Sequence, residues 1–237
     1  MENKSGLSYS VARTLSDVLE AWQLVYRSYR RAGLIQSHRW KLHTVPHAVQ
    51  NQSVVVRGRI RAETVSTLSA YLDTSNGLPL DSVYPDELAT LRRNGRRLVE
   101  FGLFADRRHE MQRTVAALLE LMRWACHFGV HSGATDGIIG VHPRHAAFYE
   151  RLLAFERIGE VRLHPTVNEA EVVLLRLDWY AQIVKPRVPR GLRYWMEKPL
   201  PATAFLERSM FTPEELASSP LADYLGEMIA APIGADA

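Results

Sequence analysis

The amino-acid sequence predicts an α/β protein in which a mixed central sheet carries helices on both faces and a helical extension follows at the C-terminus. Three observations indicate this class. Short runs rich in valine, threonine and tyrosine alternate with longer segments whose apolar residues recur every three or four positions. Two strand–helix–strand units are expected to be crossovers, whereas the hairpins are antiparallel. Repeated prolines after Asp178 favour a tail that wraps the rest of the domain.

Local patterns predict where the elements begin and end. Thr14 or Ser16 can cap the first helix, because their hydroxyls accept from the free N–H groups of a first turn, and Gly33 can end it. A turn at Gly58 is expected to join two strands of a hairpin. Residues 1–180 should form the main unit, and residues 181–237 an extension of the same domain. The predicted elements are a strand at 7–13, a helix at 15–32, a loop at 34–52, strands at 52–57 and 62–73, a short helix at 84–92, a strand at 98–104, a helix at 111–128, a strand at 135–141, a helix at 143–153, strands at 155–162 and 171–177, and a capped helix from 212.

Composition excludes several classes of protein. Of the 237 residues, 46% are hydrophobic and 23% charged, which is typical of an ordinary soluble globular protein. The net charge of +3 favours acidic partners or ligands without indicating nucleic acid. Neither a signal-peptide pattern nor an apolar run of about 18 residues occurs, so we expect a cytoplasmic protein without a transmembrane segment.

Cysteine and histidine positions argue against a disulfide or a metal site. Cys126 is the single cysteine, and its place on the apolar stripe of a predicted helix favours a buried thiol over a reactive one. Two histidine pairs have metal-like spacing, but Pro46 interrupts one and Gly129 the other. We therefore predict no metal.

The stretch from 96 to 128 contains the most distinctive chemistry. An apolar strand is interrupted by one carboxylate, Glu100, which is costly to bury unless it faces a cleft or a partner. The strand ends in a basic tract, Asp106-Arg-Arg-His109, and a helix follows. A helix that begins just beyond a strand points unpaired N–H groups at the strand's end, so this turn is a candidate phosphate site.

Several segments carry a family resemblance, in order along the chain from about Ser8 to Asp178. Residues 141–155 resemble the fourth-helix motif of the acyl-CoA N-acyltransferase (GNAT) superfamily, with Ala154 where glycine is usual. More narrowly, the sequence resembles FeeM-type long-chain N-acyl amino acid synthases, which are related to acyl-homoserine lactone synthases. The segments that carry this resemblance are 25–29 (Val-Tyr-Arg-Ser-Tyr) with 33–35, 77–81 (Gly-Leu-Pro-Leu-Asp) with 84–85, 95–100, and 142–145 (His-Pro-Arg-His).

The resemblance implies a GNAT-like fold and an acyltransferase. Such an enzyme would move a long-chain fatty acyl group from an acyl carrier protein thioester to the α-amine of a tyrosine-like amino acid, with no cofactor beyond that acyl-phosphopantetheine donor. Enzymes of the superfamily that use coenzyme A carry two glycines in the turn before the central helix, whereas residues 106–113 contain none here. This departure favours the carrier protein as donor.

Two alternatives to this function remain open at this point. One is an acyl-homoserine lactone synthase-like enzyme, which would use the same donor with a different acceptor. The other is a non-catalytic module that binds an acyl group or the carrier protein.

The resemblance and the strand together suggest four catalytic positions. Glu100 is the candidate general base, directly or through a water, since an ammonium ion must lose a proton before its nitrogen can attack. Its alternative is a salt bridge with a neighbouring arginine. A backbone N–H freed by a bulge near Gly102 or Leu103 would stabilise the oxyanion. Tyr149, at the superfamily's acid position, could protonate the departing thiolate, or could simply be a core residue.

The remaining site predictions concern binding. Arg27 could contact the amino acid's carboxylate. Tyr29 and Trp40 could border its side chain or belong to the core, and His142 and His145 are expected mainly as polar residues at a helix start, with substrate contact as the alternative. The predicted donor-binding arginines, which could steer an acidic carrier protein or form a solvated face, are Arg96, Arg97, Arg107, Arg108 and Arg113, with Arg92 and Arg93 nearby.

Overall fold

A computed structural model describes residues 6–107, 111–185 and 187–230 of the chain. Its strands are β1 (Leu7–Val11), β2 (Ser53–Ile60), β3 (Glu63–Leu72), β4 (Leu98–Asp106), β5 (Asp136–Val141), β6 (Glu156–Arg157), β7 (Arg162–His164) and β8 (Ala170–Asp178). Its α-helices are α1 (Leu15–Arg31), α2 (Pro85–Arg93), α3 (Met111–His131), α4 (Pro143–Leu153), α5 (Trp179–Ile183), α6 (Arg190–Glu197), α7 (Pro213–Ala217) and α8 (Pro220–Ala230). Short 3₁₀ helices lie at Pro46–Val49, Pro79–Ser82, Pro165–Val167 and Ala202–Phe205.

The described strands form one mixed sheet, which confirms the predicted fold class. Their order is β1-β2-β3-β4-β5-β8-β6, and β7 also pairs with β8. Within the described strands the β4–β5 pair alone is parallel, with α3 as its crossover. Both predicted crossovers are present: α3 connects the adjacent parallel strands β4 and β5, and α4 connects β5 to β6, which runs in the same direction because both are antiparallel to the intervening β8.

Each face of the sheet has its own core. One core joins α3 and α4 to the sheet through residues such as Leu121 and Leu153, and the other joins α1, α2 and α8 through residues such as Trp22 and Leu88. The tail contributes to both, with Trp195 of α6 in the first core. Burial of apolar surface against both faces thus holds the sheet between two helical layers.

Threonine N-caps begin two of the helices, as the sequence suggests, and a left-handed residue ends a third. Thr14 is the N-cap of α1, where its Oγ1 accepts from the Asp17 amide at 3.2 Å, and Thr212 caps α7 in the same way. Helix α4 ends at Ala154 with φ +62°, in the left-handed region that favours glycine. The residue noted as a departure from the superfamily motif therefore occupies a left-handed backbone position.

Two glycines were misinterpreted as turn or strand residues. The β2–β3 turn is at Arg61 and Ala62, not at Gly58, which lies inside β2 beside a register shift. A Cβ at Gly58 would lie 2.3 Å from the Ser66 Oγ, so glycine is needed there for space. Likewise the predicted strand at 155–162 is two strands, separated around Gly159, where a Cβ would lie 2.7 Å from the Tyr84 ring.

Candidate active site

The candidate site is a gap in the sheet between β4 and β5. These strands pair from Leu98 with Asp136 to Glu100 with Ile138, and then separate, since β4 continues alongside β3 and β5 alongside β8. Backbone groups that face the gap lack the ladder partners that they have elsewhere in the sheet, and are available to a ligand. The architecture itself therefore creates a binding slot.

A β-bulge lies beside the gap. Two residues of β4, Leu103 and Phe104, oppose the single residue Leu68 of β3, and Leu103 has φ +52°. A bulge turns backbone N–H groups away from the regular ladder. The structure thus contains the irregularity predicted near Gly102 and Leu103, and the oxyanion role assigned to it stays a prediction.

A cavity of about 90 Å³ occupies the gap. Tyr29 and Leu103 line it from the face covered by α1, whereas Leu118 and Met122 of α3 line it from the opposite face, so the cavity passes through the sheet. Tyr149 of α4 lies at its wall. The remaining lining residues are Leu68, Phe101, Gly102, Phe104, Ile139, Gly140 and Val141.

Glu100 is buried on β4 at the point where the strands separate. Only 5% of its surface is exposed, and its Oε2 accepts from the Leu80 amide at 2.9 Å. Burial raises the pKa of this carboxyl to about 8; the Leu80 hydrogen bond opposes the shift, and the charges of Asp81 and Asp73 add to it. A carboxyl with this pKa exchanges a proton near neutral pH.

The alternative assignment for Glu100, a salt bridge, is not found within the described part of the chain. Arg92 pairs with Asp73 at 2.7 Å and Asp81 at 2.6 Å, and Arg96 pairs with Asp136 and Asp178. Arg92 and Arg96 are thus committed to aspartates, whereas Arg97 is exposed at the start of β4. Glu100 keeps a buried carboxyl that accepts a hydrogen bond from a backbone amide.

The side chain of Glu100 does not line the cavity itself, but neighbouring residues of β4 do. Tyr71 is its partner across the β3–β4 ladder. The Tyr71 ring lies beside Gly102, which lines the cavity: a Cβ built on Gly102 would lie 3.5 Å from Cε2 and 3.9 Å from the hydroxyl of Tyr71. Tyr71 is thus a neighbour both of Glu100 and of a residue that lines the cavity, although Tyr71 itself does not line it.

The two tyrosines that line the cavity are neutral at physiological pH. Burial raises the pKa of Tyr29 to about 12 and raises that of Tyr149 further, so both keep their O–H groups. The Tyr29 ring is 5.0 Å from the ring of His43, whose pKa burial lowers to about 4. The α1 side of the cavity is thus aromatic and uncharged near these residues.

Other predicted binding residues lie outside the cavity lining. Arg27 is on the exposed side of α1. Trp40 donates to Oε2 of Glu227 at 2.9 Å and so fastens its loop to α8. His142 caps α4, with Nδ1 accepting from the Arg144 amide at 3.2 Å, and His145 is exposed and bonded to the Arg144 side chain. The structure brings Tyr29 to the cavity but not these four.

The predicted arginines do not form one group. Arg96 and Arg97 precede β4, whereas Arg107 follows it, about 33 Å from Arg97 at the usual rise of a strand. Arg96 belongs to an ion-pair network, Arg97 is exposed at the start of the strand, and Arg107 pairs with Glu63. Arg108 lies outside the described residues, and Arg113 falls in α3 without a described side chain.

Sequence reasoning missed the residues around Glu100. The motif that contains Leu80 does not by itself predict that the Leu80 amide binds the carboxyl. The basic pattern around Arg92 predicts a charged face, whereas Arg92 ties Asp73 and Asp81 into the loop that supplies this amide. Tyr71 was treated only as a strand residue. The Gly-Leu-Pro-Leu-Asp motif was the available signal, since it places Leu80 and Asp81 together.

The described residues contain neither a metal-binding cluster nor a membrane-spanning helix. Histidine, cysteine, aspartate and glutamate side chains form no group of three or more that could hold a metal. Among the helices in that part of the chain, none combines the length and hydropathy required to cross a bilayer. Cys126 is buried, as its helix position predicted, and burial raises its thiol pKa.

Comparisons with known proteins agree with this geometry. A family model described as the N-acyl amino acid synthase FeeM matches residues 20–178. The solved structure of FeeM from uncultured soil microbes has a TM-score of 0.63 at 20% identity, over 82% of this chain and 96% of that one. No curated protein matches the sequence.

Two further solved structures share the fold. The acyl-homoserine lactone synthase LasI has a TM-score of 0.55 at 13% identity, over 73% of this chain and 90% of that one. BjaI, a coenzyme A-dependent acyl-homoserine lactone synthase, also has a TM-score of 0.55, at 12% identity over 80% and 89% of the two chains. At these identities the likeness shows a common architecture.

Proposed function

Because the chain belongs to the FeeM family of N-acyl amino acid synthases and is therefore an acyltransferase, we propose that it moves a long-chain fatty acyl group from an acyl carrier protein thioester to the α-amine of a tyrosine-like amino acid. The observation that carries this proposal is the buried Glu100 at the mouth of the β4–β5 gap. The acyl donor is a substrate, and the proposed reaction uses no other cofactor.

Glu100 serves as the general base. An α-ammonium group titrates near 8, and a base works best when its own pKa is close to that of the proton donor and to the working pH. Burial places the pKa of Glu100 at about 8. The carboxyl can therefore accept a proton from the ammonium group, and the Leu80 amide holds its oxygen in place while it does so.

The free amine then attacks the thioester carbonyl carbon. A C–N bond forms, the carbonyl oxygen becomes an oxyanion, and a backbone N–H at Gly102 or Leu103 in the bulge donates to it. When the C–S bond breaks, the thiolate takes a proton from the Tyr149 hydroxyl, and the amide nitrogen returns one to Tyr149. A buried, neutral tyrosine at the cavity wall suits this exchange.

The acceptor is proposed to lie on the α1 side of the gap. Tyr29 offers an aromatic wall there, and the neutral His43 stands behind it. Aromatic rings pair favourably when their centroids are 4.5–7 Å apart, which supports an acceptor with a ring. Contact of Arg27 with the acceptor carboxylate remains a prediction, since the side chain is exposed on α1.

The acyl chain is proposed to lie on the α3 side, against Leu118 and Met122. The cavity of about 90 Å³ is smaller than the several hundred Å³ usual for ligand pockets. A long chain therefore requires side chains to move apart, and methionine is suited to this because its thioether adapts easily.

The proposal of a carrier protein donor rests on the turn before α3. Residues 106–113 contain no glycine, which disfavours the close backbone approach that a pyrophosphate requires. Phosphopantetheine on a carrier protein presents a single phosphate instead. Arginines at 107, 108 and 113 give this turn a positive charge that suits an acidic partner.

Expression in a bacterial host, followed by mass spectrometry of an organic extract, tests the reaction. We expect N-acyl amino acids with an open carboxylate, lost on Glu100→Gln and retained on Glu160→Gln, a control at an exposed glutamate. A lactone product would replace the proposed acceptor with homoserine chemistry. Full turnover by a folded Glu100→Gln variant would remove Glu100 as the base.

The donor needs a separate test with the purified enzyme. Matched acyl thioesters of acyl carrier protein and of coenzyme A, with the same chain length and the same amino acid, should react at different rates. We expect the carrier protein thioester to react faster. Equal rates would contradict the argument from the glycine-free turn.

A further inference from the structure

Strand β3 contains buried hydroxyl groups that lack a hydrogen-bond partner within the described residues. They are the side chains of Ser66, Ser69 and Tyr71, each no more than 2% exposed. A buried polar group without a partner costs about 1–3 kcal/mol. Such groups are therefore uncommon unless a ligand or an ordered water uses them.

Two of these hydroxyls are on the same face of the sheet as Glu100. Tyr71 is the ladder partner of Glu100, and Ser69 is the ladder partner of Gly102. Side chains opposite one another on neighbouring strands share a face of the sheet. Tyr71 belongs to the core on the α1 side, where Tyr29 and the proposed acceptor pocket lie.

The same two side chains are ladder partners of Glu100 and of Gly102, which lines the cavity, although neither of them lines the cavity itself. Gly102 lines the cavity, Glu100 does not, and the Tyr71 hydroxyl lies 3.9 Å from the position of a Cβ on Gly102. A proton that leaves an amine in the cavity can reach Glu100 through this region. A hydroxyl can accept one hydrogen bond while it donates another, as a relay requires.

We propose that the Tyr71 and Ser69 hydroxyls relay a proton from the acceptor's ammonium group to Glu100. This inference rests on the proposed function of Glu100 as the base. The ammonium N–H donates to the relay, either directly or through a water bound by Ser69, and Tyr71 passes its own O–H proton to a Glu100 oxygen. Tyr71 then receives the incoming proton, so the net change is one ammonium to amine and one carboxylate to carboxylic acid.

The protonation state of Tyr71 is consistent with this role. Burial raises its pKa well above the ordinary value, the nearby Ser69 hydroxyl partly offsets the shift, and the Glu100 charge adds to it. Tyr71 therefore remains a neutral O–H donor at working pH. Tyr71 and Ser69 act through Glu100, and are positioning residues for the proton transfer.

The test compares Tyr71→Phe and Ser69→Ala with a matched control, Ser66→Ala. Ser66 is also a buried serine on β3 without a partner, but it lies beside Tyr9 and Gly58, next to the core on the α3 side. Each change removes a single buried hydroxyl and leaves the rest of the side chain in place, so all three variants should fold. Near-ultraviolet circular dichroism and urea unfolding check this.

We expect Tyr71→Phe to lower kcat by about 10- to 100-fold, within the usual range for proton-transfer residues. Ser69→Ala should lower it less, and Ser66→Ala should match the wild type. The decisive readout is a double-mutant cycle. If Tyr71 acts through Glu100, Tyr71→Phe should change kcat by less than about threefold in the Glu100→Gln background, whereas a structural role would give the same loss in both backgrounds.

The outcomes separate the two proposals. Loss of activity on Glu100→Gln, together with full kcat for both Tyr71→Phe and Ser69→Ala, would overturn the relay and leave the proposed function intact. Equal losses from Tyr71→Phe in the two backgrounds would also overturn it. A wild-type enzyme without acyltransfer to any amino acid, or a fully active Glu100→Gln variant, would overturn the proposed function and the relay with it.

Discussion

The two halves of β4 differ in what holds them. Its first residues, Leu98 to Glu100, are paired on both sides, and an ion-pair network of Arg96, Asp136, Arg176 and Asp178 closes that end. Its second half pairs with β3 alone, contains a bulge and borders a cavity. β4 therefore provides both the fully paired centre of the sheet and the candidate site. The two halves differ because β5 pairs with the first half only.

Removing the carboxylate of the closed end should have the largest effect on stability. Asp136 is fully buried and binds Arg96 at 2.6 Å and Arg176 at 2.7 Å. We expect Asp136→Ala to lower the free energy of unfolding by about 3–5 kcal/mol, because Arg96 and Arg176 lose their fully buried partner and are left to share Asp178 alone. Urea denaturation measures this, with Asp86→Ala at an exposed helix start as control. A loss below about 1 kcal/mol would contradict the assigned role of the network.

At the boundary between the halves, the raised pKa of Glu100 should make stability depend on pH. The folded state keeps the carboxyl proton up to about pH 8, whereas the ordinary pKa is 4.5, so the wild type loses stability as pH rises between these values. Glu100→Gln cannot ionise and retains the hydrogen-bond acceptor for Leu80. We expect the variant to be about 4 kcal/mol more stable than wild type at pH 8.5 and nearly equal at pH 4.5.

Urea unfolding at intervals from pH 4.5 to 8.5 measures this difference. The exposed Glu160→Gln variant should show a difference from wild type that does not change with pH. A constant offset for Glu100→Gln would contradict the raised pKa. The direction is diagnostic, because a carboxylate held by a salt bridge would lose stability on acidification instead.

In the second half of β4, a larger side chain on α3 that fills part of the cavity should change the length of the acyl group that is transferred. This is the smallest of the expected energetic effects. Met122 lines the gap on the face proposed for the acyl chain. We expect Met122→Trp to shift products toward shorter acyl groups, since each methylene that can no longer be buried forfeits about 0.8 kcal/mol. Competition among thioesters of several chain lengths, followed by mass spectrometry, measures the shift. Met196→Trp at an exposed position is the control, and an unchanged distribution would place the chain elsewhere.

Much of the fold was predictable because its signals are local. Apolar periodicity gave the helices, and hydroxyl N-caps marked the starts of α1 and α7. Gly58 and Gly159 were misinterpreted because glycine serves both in turns and where another side chain approaches the backbone closely. The sequence does not distinguish these uses, since the approaching side chains, Ser66 and Tyr84, come from other strands or helices.

The site was predictable only in part, for a related reason. Glu100 was identified because a lone carboxylate in an apolar strand is costly to bury. Its partners could not be identified, because the pairing with Tyr71 depends on strand register and the contact with Leu80 on the path of a loop. Arginines close in sequence were grouped together, although a strand carries its two ends far apart.

The loop at 34–52 links α8 to Tyr29, which lines the cavity. Trp40 hydrogen-bonds to Glu227, 187 positions later in the chain, and His43 of the same loop lies between Tyr29 and the Tyr224 hydroxyl. The surroundings of Tyr29 thus depend on α8 as well as on the sheet. If the proposed acceptor pocket is correct, exchange of α8 between relatives should change acceptor choice and leave the proposed proton-transfer residues of β3 and β4 unaltered.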